Sequence, residues 1–135
     1  MIAGVARASS VQRKAVAAVT GLHVRVYRHS RGRVWSRVGG NPLLLLTTTG
    51  RRTGVRRTRP VVYLPDGGRF VVCGSFGGSD TTPAWALNLR ADPSATVEIA
   101  GRTLQVRSAE AEGTEYDRLW AELVAAMPRF ADYRE

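Results

Sequence analysis

The chain has 135 residues and a formal net charge of +9, with 44% apolar and 23% charged residues. That size suits one compact domain able to bury a core without disulfides, and the composition is globular rather than disordered. Cys73 is the single cysteine, which excludes an intrachain disulfide and a Cys/His zinc centre, so no metal site is expected. No run approaches the roughly 20 apolar residues of a spanning helix. The opening Met1-Ile2-Ala3-Gly4-Val5-Ala6 is too short for the apolar core of a leader, and a cytoplasmic setting is expected.

The charge is unevenly placed. Residues 1–65 carry thirteen Arg/Lys and no Asp/Glu, whereas residues 66–135 carry seven Arg/Lys and eleven Asp/Glu. Such an asymmetry calls for an anionic partner at the first half: nucleic acid, a membrane surface, or a phosphorylated or polycarboxylate ligand. Single-stranded nucleic acid is disfavoured, because no aromatic residues interleave with these arginines for base stacking.

In chain order, Ser10 to Arg28 reads as an amphipathic helix with Val11, Ala15, Ala18, Val19, Leu22 and Val26 at helical spacing. Arg31 to Gly40 reads as a basic loop. Strands are predicted over Leu43–Thr49, Arg56–Leu64 and Arg69–Gly74, the last two joined as a hairpin through Pro65-Asp66-Gly67-Gly68. A Gly/Ser/Thr-rich loop follows, then a short helix from Pro83 to about Arg90. Ala95–Ile99 and Arg102–Ser108 form another hairpin. A last helix starts at Thr114, with Asp117 completing a capping box, and Tyr116, Leu119, Trp120, Leu123, Val124 and Met127 make its apolar stripe. Short antiparallel strands flanked by three helices predict an α+β fold: a small barrel with the helices packed outside. Long helices do not alternate with the strands, as a Rossmann sheet would require.

Four constellations carry chemistry, each with a plainer alternative. Thr47-Thr48-Thr49-Gly50-Arg51-Arg52-Thr53-Gly54, with Arg57 and Arg59 on one strand face, suits a long anionic tail; the alternative is a solvated basic turn. Cys73-Gly74-Ser75-Phe76-Gly77-Gly78 leaves room for a flat ring, with Ser75 as a hydrogen-bond donor; the alternative is an ordinary loop. Trp85 and Asn88, three apart on one helix face, could line a pocket; the alternative places Trp85 in the core and Asn88 on the surface. Tyr133, just beyond the last helix, could cover a pocket or donate a proton; the alternative is a frayed terminus.

Taken together and in order, these segments resemble the deazaflavin-dependent nitroreductase family, over roughly residues 17–135. The resemblance is carried by Leu45-Leu46-Thr47-Thr48-Thr49-Gly50-Arg51-Arg52-Thr53-Gly54, by Arg57-Thr58-Arg59-Pro60, by Ser75-Phe76-Gly77-Gly78, and by Pro83-Ala84-Trp85-Ala86-Leu87-Asn88-Leu89. It implies a split β-barrel (residues 41–135, preceded by a basic helix and loop over 1–40, in one domain overall) that binds coenzyme F420. It further implies that Arg51, Arg52, Thr53, Arg57, Thr58, Arg59, Pro60, Val61 and Val62 meet the phosphate, the oligoglutamate tail and the approach to the ring. Cys73, Gly74, Ser75, Phe76, Ala84, Trp85, Ala86, Leu87, Asn88 and Phe130 would line the deazaflavin pocket, with Ser75 and Tyr133 the candidate catalytic groups. The cofactor would carry the hydride to a quinone, enone or nitro acceptor.

The chain also departs from the family. Arg52 stands where lysine is frequent, Arg59 where asparagine is, and Phe76 where lysine is. Met127 and Phe130 fill two positions at which tyrosines are known, leaving Tyr133. Members usually continue into a final apolar strand beyond the Asp132-Tyr133 match, and closure of the barrel turns on that strand. The alternatives are a cofactor carrier of the same fold without turnover, or an FMN-binding split barrel. The basic first helix is expected to pack on the barrel and make loose contact with anionic lipid at the inner face of the cell membrane. Homodimerisation is a further expectation.

Overall fold

The protein was analysed as a computed structural model that describes residues 10–33, 36–38, 41–74 and 82–128, with side chains from Val19 onward except Val38. Among these residues are α1 (Ser10–His29), β1 (Arg37–Val38), β2 (Asn41–Thr49), β3 (Arg56–Val62), β4 (Leu64–Asp66), β5 (Arg69–Val71), α2 (Ala84–Ala91), β6 (Ser94–Ile99), β7 (Arg102–Arg107) and α3 (Gly113–Ala126). The fold is α+β with antiparallel sheets. β1, β2, β6 and β7 lie in that order, β3 also pairs with β2, and β4 and β5 form a separate two-stranded sheet.

β2 is the hub, because it lies between β3 and β6 and both its faces are covered. This is why Leu43–Leu46 is an unbroken apolar run rather than an alternating one. Leu44 and Leu46 face Val61, Tyr63, Ala95 and Val97, with Phe70 and Val72 packed against them. Leu45, fully buried, faces the other way onto Val24 and Tyr27 of α1. The Tyr27 hydroxyl donates to the Leu43 carbonyl at 3.1 Å, with the Glu98 carbonyl 3.3 Å away. Burial, then the neighbouring Tyr63, raises the Tyr27 pKa above the usual phenol value, so the group stays a neutral donor. Pro60 is tolerated opposite Leu45 because β3 pairs with β2 alone among the described strands, so its other edge needs no N–H.

The structure redraws several predicted elements. The strand expected over Arg56–Leu64 breaks at Tyr63, whose ring turns into the core and meets Phe70 edge-on at 5.5 Å. The chain then leaves the main sheet, so the hairpin through Gly67-Gly68 joins β4 to β5 and ends at Val71 rather than Gly74. β1 lies within the predicted 31–40 loop. α3 is capped at Glu112 with no side-chain cap bond, so the Thr114–Asp117 pair already lies inside the helix and cannot form the expected box. Asp66 pairs with Arg69 inside the β4–β5 hairpin (2.5 Å) and with Arg118 of α3 (3.1 Å), while Arg69 also meets Glu115 of α3 (2.9 Å). The hydrogen bonds to Asp66, Arg118's first, hold its carboxyl pKa down to about 2.

α1 packs through a face other than its predicted stripe. Val24 and Tyr27 are buried, whereas Leu22 and Val19 are 53% and 68% exposed. Residues three apart share a helix face, so the packing pair and the exposed pair lie on different sides of α1. No described helix is long and apolar enough to cross a membrane.

Candidate functional site

The Gly50–Gly54 loop is a closed turn. Gly50 N–H donates to the Val55 carbonyl and Gly54 N–H to the Gly50 carbonyl, both at 2.8 Å, and Thr53 Oγ1 accepts the Val55 N–H at 3.2 Å. A Cβ at Gly50 would lie 2.8 Å from that Oγ1, and Gly54 has φ +70°, so glycine is needed at both ends. The Arg52 and Thr53 N–H groups have no acceptor among the described residues.

Asn88 joins this loop to the sheet. It is 5% exposed on α2. Its Oδ1 accepts the Arg51 N–H at 3.1 Å, and its Nδ2 donates to Thr48 Oγ1 at 3.0 Å. Thr48 therefore points to the α2 side of β2, as Leu44 and Leu46 do. Arg57 is the cross-strand partner of Thr48, and Arg59 of Leu46. Facing partners in an antiparallel pair share a face, so both arginines lie on the α2 side. Thr58 faces α1 instead, its hydroxyl 2.7 Å from that of Thr47 and 3.4 Å from Arg28 Nη2.

The described arginines differ in whether a carboxylate reaches them, and Arg25, Arg31, Arg33, Arg56, Arg102 and Arg107 are, like the loop and β3 arginines, without one among the described residues. Arg28, Arg69, Arg90 and Arg118 each pair with a carboxylate. Arg51, Arg52, Arg57 and Arg59 have no carboxylate within ion-pair distance among the described residues, and all four are exposed. The result is a cationic surface that no carboxylate among the described residues compensates.

Beside it, a cleft of about 1080 Å³ lies between the sheet, α2 and α3. Of the residues expected around a flat ring, Cys73, Gly74, Trp85 and Ala86 line this cleft; Ala84 and Leu87 do not. Val61 is spent on the core with Leu44, and Val62 on the cluster of Leu123 and Met127. Pro60 is half-buried opposite Leu45. Ser75, Phe76, Phe130 and Tyr133 lie outside the described residues. Met127, at a position where a tyrosine is known, is 2% exposed and serves packing. Sequence reasoning placed Thr48 in the anion-binding run but missed its part in holding Asn88. The available signal was the even spacing of Leu44, Leu46 and Thr48, which puts a hydroxyl at the end of a core-facing row.

Comparison with known proteins gives the family. The family model described as F420H2-dependent quinone reductase matches residues 19–135. An F420H2-dependent quinone reductase of Mycobacterium tuberculosis is 34% identical over 102 residues, covering 73% of this chain and 68% of that protein. A second M. tuberculosis protein named for the same activity is 32% identical over 92 residues, covering 68% of this chain and 75% of the relative. The solved structure of an F420-H2 dependent reductase superposes with a TM-score of 0.63 at 33% identity, over 69% of this chain and 82% of that one. Another, described as a domain-swapped dimer, also gives 0.63, at 27% identity over 87% and 88% of the two chains. The chain belongs to the F420H2-dependent quinone reductase family.

Proposed function

We infer that the protein reduces quinones with coenzyme F420H2, holding the cofactor's phosphate and acidic tail on the Gly50–Gly54 loop and the arginines of β3. The observation that carries this reading is the cluster of Arg51, Arg52, Arg57 and Arg59, which meet no carboxylate among the described residues, beside a loop whose Arg52 and Thr53 N–H groups meet no acceptor among them. An acidic tail supplies the missing countercharge, and guanidinium forks suit both phosphate and carboxylate. The deazaflavin ring is assigned to the mouth of the cleft, along Cys73, Gly74, Trp85 and Ala86. When bound, the reduced cofactor supplies a hydride, which with one proton converts a quinone to its hydroquinone. The protein's part is to anchor the tail, orient the ring and exclude water. Ser75 and Tyr133 are proposed as hydrogen-bond and proton donors to the acceptor, with Phe76 and Phe130 beside the ring.

Titration of cofactor fluorescence tests this directly: F420 should bind at micromolar protein and FMN more weakly. Stopped-flow mixing of the reduced complex with menadione should then reoxidise the cofactor, whereas enones and nitro compounds should react more slowly. Absence of F420 binding sinks the reading.

We further read the sheets as a split β-barrel, since Phe70 and Val72 fold back over the face of β2 that carries Leu44 and Leu46. An experimental structure with β4–β5 splayed away from that face would overturn this. The exposed Val19 and Leu22, on a helix that also carries exposed Arg25 and Arg28, suit peripheral contact with anionic lipid at the cytoplasmic face of the membrane. Leu22→Glu should reduce co-sedimentation with phosphatidylglycerol vesicles, and equal pelleting of both proteins would refute the contact. A homodimer is proposed by analogy with the domain-swapped neighbour; a monomer mass by light scattering excludes it.

A further inference from the structure

We propose that Asn88 is a positioning residue that makes the Gly50–Gly54 loop an anion site, rather than a residue that touches the deazaflavin ring. The inference rests on the cofactor reading above. It departs from the sequence-level expectation that Asn88 lines the ring pocket.

The argument is one of donors and acceptors. Asn88 is 5% exposed, so its amide must find partners inside the protein. It finds two: Oδ1 takes the Arg51 N–H at 3.1 Å, and Nδ2 donates to Thr48 Oγ1 at 3.0 Å. The Arg51 N–H fixes which end of the amide is oxygen, because only the oxygen can accept. Asn88 is absent from the walls of the cleft, although its neighbours Trp85, Ala86 and Leu89 on α2 line it.

The link spans three parts of the chain: α2, the loop, and the end of β2. The loop's other hydrogen bonds among the described residues are internal, to Gly50, Thr53 and Val55. Those bonds and the β2–β3 ladder shape the hairpin, and the Asn88 bond is the one among them that ties the turn to α2, on the side where Arg57 faces Thr48. Without it, the turn keeps its hairpin ladder but loses its hydrogen bond to α2, and the Arg52 and Thr53 N–H groups are held less firmly beside the β3 guanidiniums. A multidentate anion gains most from donors fixed in advance. The defect should therefore appear in binding of the charged tail and spare the ring.

The experiment compares two ligands by fluorescence titration. One is coenzyme F420; the other is the same deazaflavin with its ribityl chain but without phosphate or glutamates. For Asn88→Ala, F420 affinity should fall about tenfold, while the tailless ligand should bind within about twofold of wild type. Thr48→Val, which removes the brace of the amide but keeps the Arg51 bond, should fall between. The double variant should be no weaker than Asn88→Ala alone, since both act through one link. Should Asn88→Ala not fold, Thr48→Val carries the same contrast between ligands. Equal losses for both ligands overturn the proposal, as does an unchanged F420 affinity. A wild-type protein that binds neither ligand overturns the cofactor reading and this inference with it; wild-type binding with an indifferent variant overturns the inference alone.

Discussion

Arg57→Ala is expected to weaken coenzyme F420 binding by about 1.5–3 kcal/mol, or about 10- to 150-fold, the range for a hydrogen bond to a charged partner. Arg57 has the position for it. It lies opposite Thr48, on the face where Asn88 anchors the loop, and no carboxylate competes for it among the described residues. A guanidinium already paired inside the protein would first have to give up that partner. The loss should shrink as salt rises, because an exposed ion contact is screened. Arg56 is the natural control. It lies on the opposite face of β3, with Nη2 2.8 Å from Thr96 Oγ1 and Nη1 3.3 Å from Thr49 Oγ1. If Arg56→Ala and Arg57→Ala weaken binding equally, or neither does, the proposed binding face of β3 is wrong.

The second large effect is on stability. Leu45→Ala should cost about 2–5 kcal/mol, the range for deleting a buried leucine side chain and leaving a partly relaxed cavity. Leu45 is fully buried, and its side chain is what α1 closes against through Val24 and Tyr27. Loosening that contact would also disturb the bond from Tyr27 to the Leu43 carbonyl, so the upper half of the range is expected. Urea denaturation checks it through the midpoint at unchanged slope. A midpoint shift equivalent to less than about 1 kcal/mol would mean that α1 is dispensable to the core.

Much of the local structure was readable from residue order. The Leu43–Thr49 strand, the Ala95–Ile99 and Arg102 hairpin, and the short helix after Pro83 each carry their own signals: an apolar run, a two-residue turn and a proline, which the structure places at the N-cap rather than in the first turn. The elements that moved were those fixed by distant partners. Tyr63 ends β3 because its ring is needed beside Phe70, and nothing within the Arg56–Leu64 segment announces that. The apolar stripe of α1 was equally misleading. Val19 and Leu22 fit the spacing, yet Val24 and Tyr27 are buried, because the buried face is chosen by what the sheet offers it and Tyr27 has two backbone carbonyls within reach.

The cationic loop itself, Gly50-Arg51-Arg52-Thr53-Gly54 with Arg57 and Arg59, was determined by the sequence alone: glycine spacing fixes the turn, and alternation in a strand puts the two β3 arginines on one face. Only the tertiary structure decided which of the described arginines meet a carboxylate, since the partners of Arg28, Arg69, Arg90 and Arg118 are brought to them by the fold. It also decided, by the register of β3 on β2, that the face carrying Thr58 is the one turned to α1. The role of Asn88 belongs there too: its partners, Thr48 and Arg51, are 40 and 37 residues away in the chain, and pairing across that distance depends on how α2 docks against β2.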